Sequence, residues 1–268
     1  MRSTLLRLYA SVFARERFRM WNTLLFELGL RGLGILNYQD RTISGEVTFL
    51  HNYLKGKDSP VVLDVGANAG SYSREVVAIN PSALVFAFEP HPRTFERLVA
   101  NVGASRNVRP INRGVGDLSG RHKLYDRNSE CGTTHASIFC DVIEGIHKVQ
   151  ASECEVDVIT LDEFIDEQQL TRVDLLKIDT EGYELNVLKG GSKAIRSGIL
   201  KMIQFEFNEM NVVSRAFFKD FLEMLPQYQF HRMLPGELQR IDQYSPRRCE
   251  LFAFQNIVAI LREERGRS

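Results

Sequence analysis

Two rhythms alternate along this chain. Short apolar runs, "VVLDV", "ALVFAF", "VDLLKID" and "KMIQFEF", read as buried strands. Between them "SYSREVVAI", "TFERLVANV", "TLDEFIDEQQL" and "SRAFFKDFLEML" repeat apolar residues every three or four positions, as amphipathic helices do. Strands alternating with helices imply right-handed crossovers and a mostly parallel sheet. The closing runs "YQFHRML" and "ELFAFQNIVAIL" are joined without a helix and predict an antiparallel edge strand. From Asp117 to Asp157 the rhythm weakens to short strands and polar loop. Residues 1–57 read as an N-terminal helical extension broken near Gly32 and Gly34, and residues 58–268 as one α/β domain.

Charge and composition narrow the function. With 34 Lys and Arg against 34 Asp and Glu, the chain lacks the basic surplus of a nucleic-acid binder. Cys131, Cys140, Cys154 and Cys249 form no metal-ligand or disulfide spacing and suit a reducing, cytoplasmic setting. No apolar run is long enough for a membrane span. The first 30 residues are amphipathic and locally basic. Packing on the domain or on a partner chain, including a second copy, is the favoured reading; the alternative is peripheral contact with an anionic membrane.

Candidate chemistry begins in "VVLDVGANAGSYS". The strand ends at Asp64, and Gly66 and Gly70 let the backbone turn tightly before a helix whose first N–H groups are free. Glu89 ends the next strand, about 20 residues on, where an acid holds ribose hydroxyls in nucleoside-binding folds. The glycine spacing is not G-x-G-x-x-G and no Gly-Lys-Ser/Thr follows, which disfavours NAD and nucleoside triphosphates. A carboxylate at Asp64 repels pyrophosphate but suits an ammonium and a sulfonium, as in S-adenosylmethionine.

"LDVGANAGSYS", "VFAFEPHPRTFERL", "TLDEF", "DLLKIDTEGYELNVLKGG" and "IQFEFNEMN" together resemble an FkbM-type methyltransferase, over roughly residues 37–260. The resemblance implies a class I methyltransferase Rossmann-like fold with a seven-stranded sheet, and S-adenosylmethionine-dependent O-methylation, commonly of sugars or natural products. It also implies that Asp64, Gly66, Ala67, Asn68 and Gly70 line the methionine end of the cofactor. By the same resemblance Glu89 holds the ribose, and Gly116 and Asp117 lie near the adenine.

The stretch "VDLLKIDTEGYELNVLKGG" then becomes the fourth strand and the start of its helix. Ligands in such folds bind at the carboxyl ends of central strands, where Asp179 and Glu181 stand. If the backbone stays extended through Thr180, both side chains point the same way, with Lys177 one step deeper. Burial favours pairing Lys177 with Asp179. Asp179, Glu181, and Lys177 if burial lowers its pKa, are candidates to place the acceptor hydroxyl and take its proton. Glu184 reads as a solvated helix residue. Glu206, Asn208 and Glu209, at the end of the fifth strand, can approach Asp179; Mg2+ between these acids is weighed and not favoured. His91 and His135 are lesser candidates for acceptor contact. The expected activity is methyl transfer to a sugar hydroxyl of a glycan, glycolipid or glycosylated natural product. The alternatives are a non-enzymatic interaction module and, less favoured, an NAD-dependent oxidoreductase.

Overall fold

The computed structural model describes residues 2–127 and 136–263. Its central sheet has eight strands. These include β1 (Val61–Val65), β2 (Leu84–Phe88) and β3 (Val108–Ile111) from the first half of the chain. The second half adds β7 (Leu175–Ile178), β8 (Met202–Phe207), β9 (Tyr228–Met233), β10 (Leu238–Arg240) and β11 (Gln255–Leu261). The order is β10-β9-β11-β8-β7-β1-β2-β3, which reverses direction between β1 and β7. Strands β8, β7, β1, β2 and β3 run parallel. This is the class I Rossmann-like arrangement, and its crevice lies at the carboxyl ends of β1 and β7.

Two details depart from expectation. The sheet has eight strands rather than seven, because the chain after β9 turns back into the three-residue β10. The expected antiparallel edge is present as β10, paired with β9, but the closing run of the chain does not form it. β11 inserts between β8 and β9 and pairs antiparallel with both. Its Gln255, Asn256, Ile257, Val258 and Ala259 are buried accordingly.

Alternate residues of the strands enter two cores, as the period of two requires. Leu63, Val65, Phe86 and Phe88 face helices Leu161–Glu167, Glu184–Gly190 and Phe218–Met224. Val62, Val85 and Leu175 face helices Glu46–Leu54, Ser71–Ile79 and Pro92–Val102. Helix Glu46–Leu54 thus buries Phe49, Leu50 and Leu54 in the domain's own core. The two helices before it, Arg2–Phe13 and Arg19–Gly32, do not pack on the domain in this way; in the second, only Leu30 is buried.

The weakly patterned segment holds a second sheet, β4-β6-β5, of β4 (Gly114–Gly116), β5 (Gly120–Arg127) and β6 (Ala151–Thr160). Both longer strands alternate. Leu124, Val156 and Val158 point inward, while Lys123 pairs with Glu153 and Arg121 with Glu155 on the solvent side.

Candidate active site

A polar row crosses one buried face of the central sheet. The register sets Asp64 beside Lys177, and Lys177 beside Gln204. Lys177 Nζ lies 3.1 Å from Asp179 Oδ2 and 3.6 Å from Asp64 Oδ1, and 5.1 Å from the centre of the Tyr72 ring. Tyr72 donates to Gln204 Oε1 at 2.7 Å, and Gln204 Nε2 donates to Glu46 Oε1 at 2.9 Å. Arg41 closes the row through Glu46 and Glu75. Burial alone would lower the Lys177 pKa, but Asp179, Asp64 and Glu46 outweigh it and hold the ammonium above its ordinary value. Lys177 therefore has no lowered pKa with which to act as a base; it is a fixed cation.

Asp64 is completely buried and lines neither cavity at the strand ends. Ser73 Oγ donates to its Oδ2 at 2.7 Å, and burial raises its pKa against the pull of Lys177 and Ser73. It stands behind the crevice rather than in it. Gly70 also faces protein: a side chain there would strike Leu98 and Val102. Gly66 has φ 79°, and a Cβ would collide with the Asp179 carbonyl oxygen, so the contact between this turn and the end of β7 itself demands glycine.

The crevice divides into two cavities that share Gly66, Asn68, Asp179 and Glu181. The first is closed by the second sheet, with Val115, Leu124, Ile138, Val156 and Val158 as an apolar wall and Glu89 at its polar end. Glu89 accepts the Asn68 N–H at 3.0 Å on one oxygen and the His91 N–H at 2.9 Å on the other. Each oxygen keeps a further lone pair, and burial raises the carboxyl pKa to about 7. An acceptor pair beside an apolar wall fits a diol attached to a flat base, as in a nucleoside. Gly114 and Val115 line this cavity; Gly116 and Asp117 do not. Gly116 packs against Tyr183, whose hydroxyl donates to Asp117 Oδ1 at 2.8 Å.

The second cavity is roomier, about 550 Å³ against 90 Å³ for the first. Ala67, Tyr72, Lys177, Glu206, Asn208, Glu209 and Met210 line it, together with Leu36, Tyr38 and Phe254. Asp179 and Glu206 end adjacent strands and share the parity of Lys177 and Gln204. Burial first, then the charges of Asp179 and Glu181, raise the Glu206 pKa well above the ordinary carboxylate range. Among the described residues no three metal-competent side chains gather to hold an ion.

Glu181 reaches this place by another route than expected. Its φ is 52° and that of Gly182 is 101°, so the backbone does not stay extended past Thr180. The loop is shaped by Glu184, which is 2% exposed rather than solvated. Glu184 Oε1 accepts the Thr180 N–H at 3.0 Å, the Thr180 hydroxyl at 3.1 Å and the Gly182 N–H at 3.1 Å. His91 is buried 3.8 Å from Asp126 and lines neither cavity, while His135 lies outside the described residues.

Sequence reasoning missed Glu46, Tyr72 and Gln204. Only Gln204 left a signal, as a lone amide inside the apolar run of β8. It also missed Tyr38 and Phe254, whose ring centroids are 6.0 Å apart at the edge of the second cavity.

Comparison with known proteins assigns a family to the chain. The family model of the methyltransferase FkbM domain matches residues 64–233, from the end of β1 to the end of β9. The "2-O-methyltransferase NoeI" of Sinorhizobium fredii is 25% identical, over 68% of this chain and 79% of its own length. The "Hexuronic acid methyltransferase AglP" of Haloferax volcanii is 32% identical, over 59% of this chain and 61% of its own length. A solved precorrin-6y C5,15-methyltransferase from Geobacter metallireducens, 14% identical, covers 81% of this chain and 88% of its own with a TM-score of 0.45.

Proposed function

The chain belongs to the FkbM methyltransferase family, and on that premise we propose that it moves a methyl group from S-adenosylmethionine to a sugar hydroxyl. The acceptor class is a glycan, a glycolipid or a glycosylated natural product. The observation that carries this reading is the pair of cavities meeting at Gly66, Asn68, Asp179 and Glu181. One has a nucleoside's chemistry, and the other offers carboxylates and an aromatic edge to a polyhydroxylated acceptor. Of the two relatives, the 2-O-methyltransferase supports transfer to oxygen and the hexuronic acid methyltransferase supports a sugar acceptor.

S-adenosylmethionine supplies a methyl group already activated by the sulfonium, so the protein's task is mainly positioning and proton removal. Glu89 accepts the ribose hydroxyls, and the aliphatic wall of the second sheet holds the base. Asp179, fixed by Lys177 at 3.1 Å, orients the acceptor hydroxyl and takes its proton. Glu181 adds negative charge that favours the cationic cofactor. Glu206, whose pKa burial and the charges of Asp179 and Glu181 raise well above the usual range, stands beside Asp179 in the second cavity and hydrogen-bonds a neighbouring sugar hydroxyl.

Calorimetry with S-adenosylmethionine, S-adenosylhomocysteine and NAD tests the cofactor, and methyl transfer to a panel of free and lipid-linked sugars tests the acceptor. Binding of NAD but not of S-adenosylhomocysteine would refute the reading. A chain that binds neither would stand as a non-enzymatic module.

A further inference from the structure

Helices Arg2–Phe13 and Arg19–Gly32 carry apolar faces that the domain leaves uncovered. Leu5, Leu6 and Leu8 are 67%, 59% and 63% exposed. In the second helix Met20, Trp21, Leu24, Leu25 and Leu28 fall on one side at 100° per residue, and all are exposed. The helices hold each other through few contacts. Tyr9 donates to Asn22 Oδ1 at 2.6 Å, and Asn22 Nδ2 donates to the Phe13 carbonyl at 2.9 Å.

Charge identifies what covers this face. The elbow between the helices presents Arg15, Arg17 and Arg19, all exposed, and Arg7 is exposed on the first helix. Against them the two helices and the elbow hold only Glu16 and Glu27. A second copy laid on this face would bring another basic elbow, with only Glu27 and Glu16, the latter already paired to Arg19 at 3.4 Å, to meet it. An anionic lipid surface complements the arginines and accepts the apolar side chains below the headgroups. Trp21 suits the boundary, with an apolar ring and one N–H. No helix among the described residues is long and apolar enough to cross a membrane.

We propose that these two helices lie in the plane of an anionic phospholipid surface and dock the chain there. The same segment runs on to Leu36 and Tyr38, which line the second cavity. Docking therefore ties the cavity wall directly to the surface. The proposal does not depend on the methyl-transfer reading.

Trp21 is the chain's one tryptophan, so its emission reports on this face alone. The full chain is titrated with vesicles of phosphatidylglycerol and phosphatidylcholine, with and without bromine on the acyl chains. The expected result is a blue shift, quenching by the brominated lipid, and loss of binding in high salt. Replacing Arg15, Arg17 and Arg19 together by Gln should weaken binding on the order of 100-fold, at roughly fivefold per arginine. Unchanged binding in that variant, or equal binding to pure phosphatidylcholine, overturns the assignment to anionic lipid. Trp21 emission indifferent to vesicles overturns the docking itself, whether the chain is a monomer or a dimer that Leu25→Glu dissociates.

Discussion

On one side of the Gly66–Asn68 turn, Glu89 faces a wall of aliphatic side chains; on the other, Glu206 and Glu209 share a cavity with the Lys177 ammonium, and Asp179 and Glu181 stand between the two. Burial raises the pKa of both Glu89 and Glu206, yet the outcomes differ. Two backbone N–H groups pull Glu89 back to about 7. Among the described residues Glu206 accepts the Asn208 amide at 3.3 Å and feels the pull of Lys177, yet burial and the charges of Asp179 and Glu181 hold it well above the ordinary range. Burial sets the direction, and the neighbours set how far a carboxyl moves. The first cavity suits recognition by shape and two hydrogen bonds. The second concentrates charge, and one cation behind it makes that concentration tolerable.

The sharpest way to break this contrast is to remove the cation. Lys177→Met leaves Asp64 fully buried without its counter-ion and frees Asp179 from its anchor. Breaking a buried pair in this way costs about 3–5 kcal/mol. Urea unfolding should show a loss of that size, and a loss below about 1 kcal/mol would mean that the row does not need its charge. The next largest effect is on chemistry. Asp179→Asn keeps the shape but removes the charge, and turnover should fall on the order of 10²–10⁴-fold, as for a lost general base. S-adenosylhomocysteine affinity should change far less. Near-normal turnover would move the base elsewhere.

The central elements of this contrast were legible in the sequence because they follow from period and position. Short, mostly apolar runs gave β1, β2, β7 and β8, and acids at the strand ends gave Glu89, Asp179 and Glu206. Depth was not legible. Asp64 ends its strand as Glu89 ends the next, but its side chain points beneath the turn toward Ser73 and Lys177. Parity holds only while the backbone is extended, so it failed at Glu181, where φ turns positive. The alternation of β6 was present in "ECEVDV", yet a strand with acids on its outer face resembles polar loop unless its basic partner strand is placed beside it. Glu46 could not be found at all, because 158 residues separate it from Gln204.

A smaller effect sharpens the other half of the contrast. Glu89→Ala removes the acceptor of the first cavity, where hydrogen bonds to a charged group are worth about 1.5–3 kcal/mol. Calorimetry should show S-adenosylhomocysteine affinity weakened roughly 10- to 150-fold. Lys177 pairing and the second cavity should be untouched, so an equal loss of stability and affinity would mean that Glu89 serves the Asn68 and His91 backbone rather than the ligand.

The finest test lies at the loop that joins the two cavities. Burial raises the Glu184 pKa from 4.5 to about 7, the backbone N–H bonds of the loop notwithstanding. A carboxyl with a raised folded pKa binds more protons folded than unfolded between these values. Its contribution to stability is thus full below pH 4.5 and is lost as pH rises toward 7. Glu184→Gln resembles the protonated acid: its carbonyl still accepts from Thr180 and Gly182, and it carries no charge to bury. Below pH 5 the two chains should unfold at nearly the same urea concentration. Between pH 5 and 7 the wild-type curve should fall more steeply, by at most about 1.4 kcal/mol per pH unit for one proton. At pH 8 the variant should be the more stable chain. Parallel curves across the range would show that Glu184 stays ionised, and that the bonds to Thr180 and Gly182 outweigh its burial.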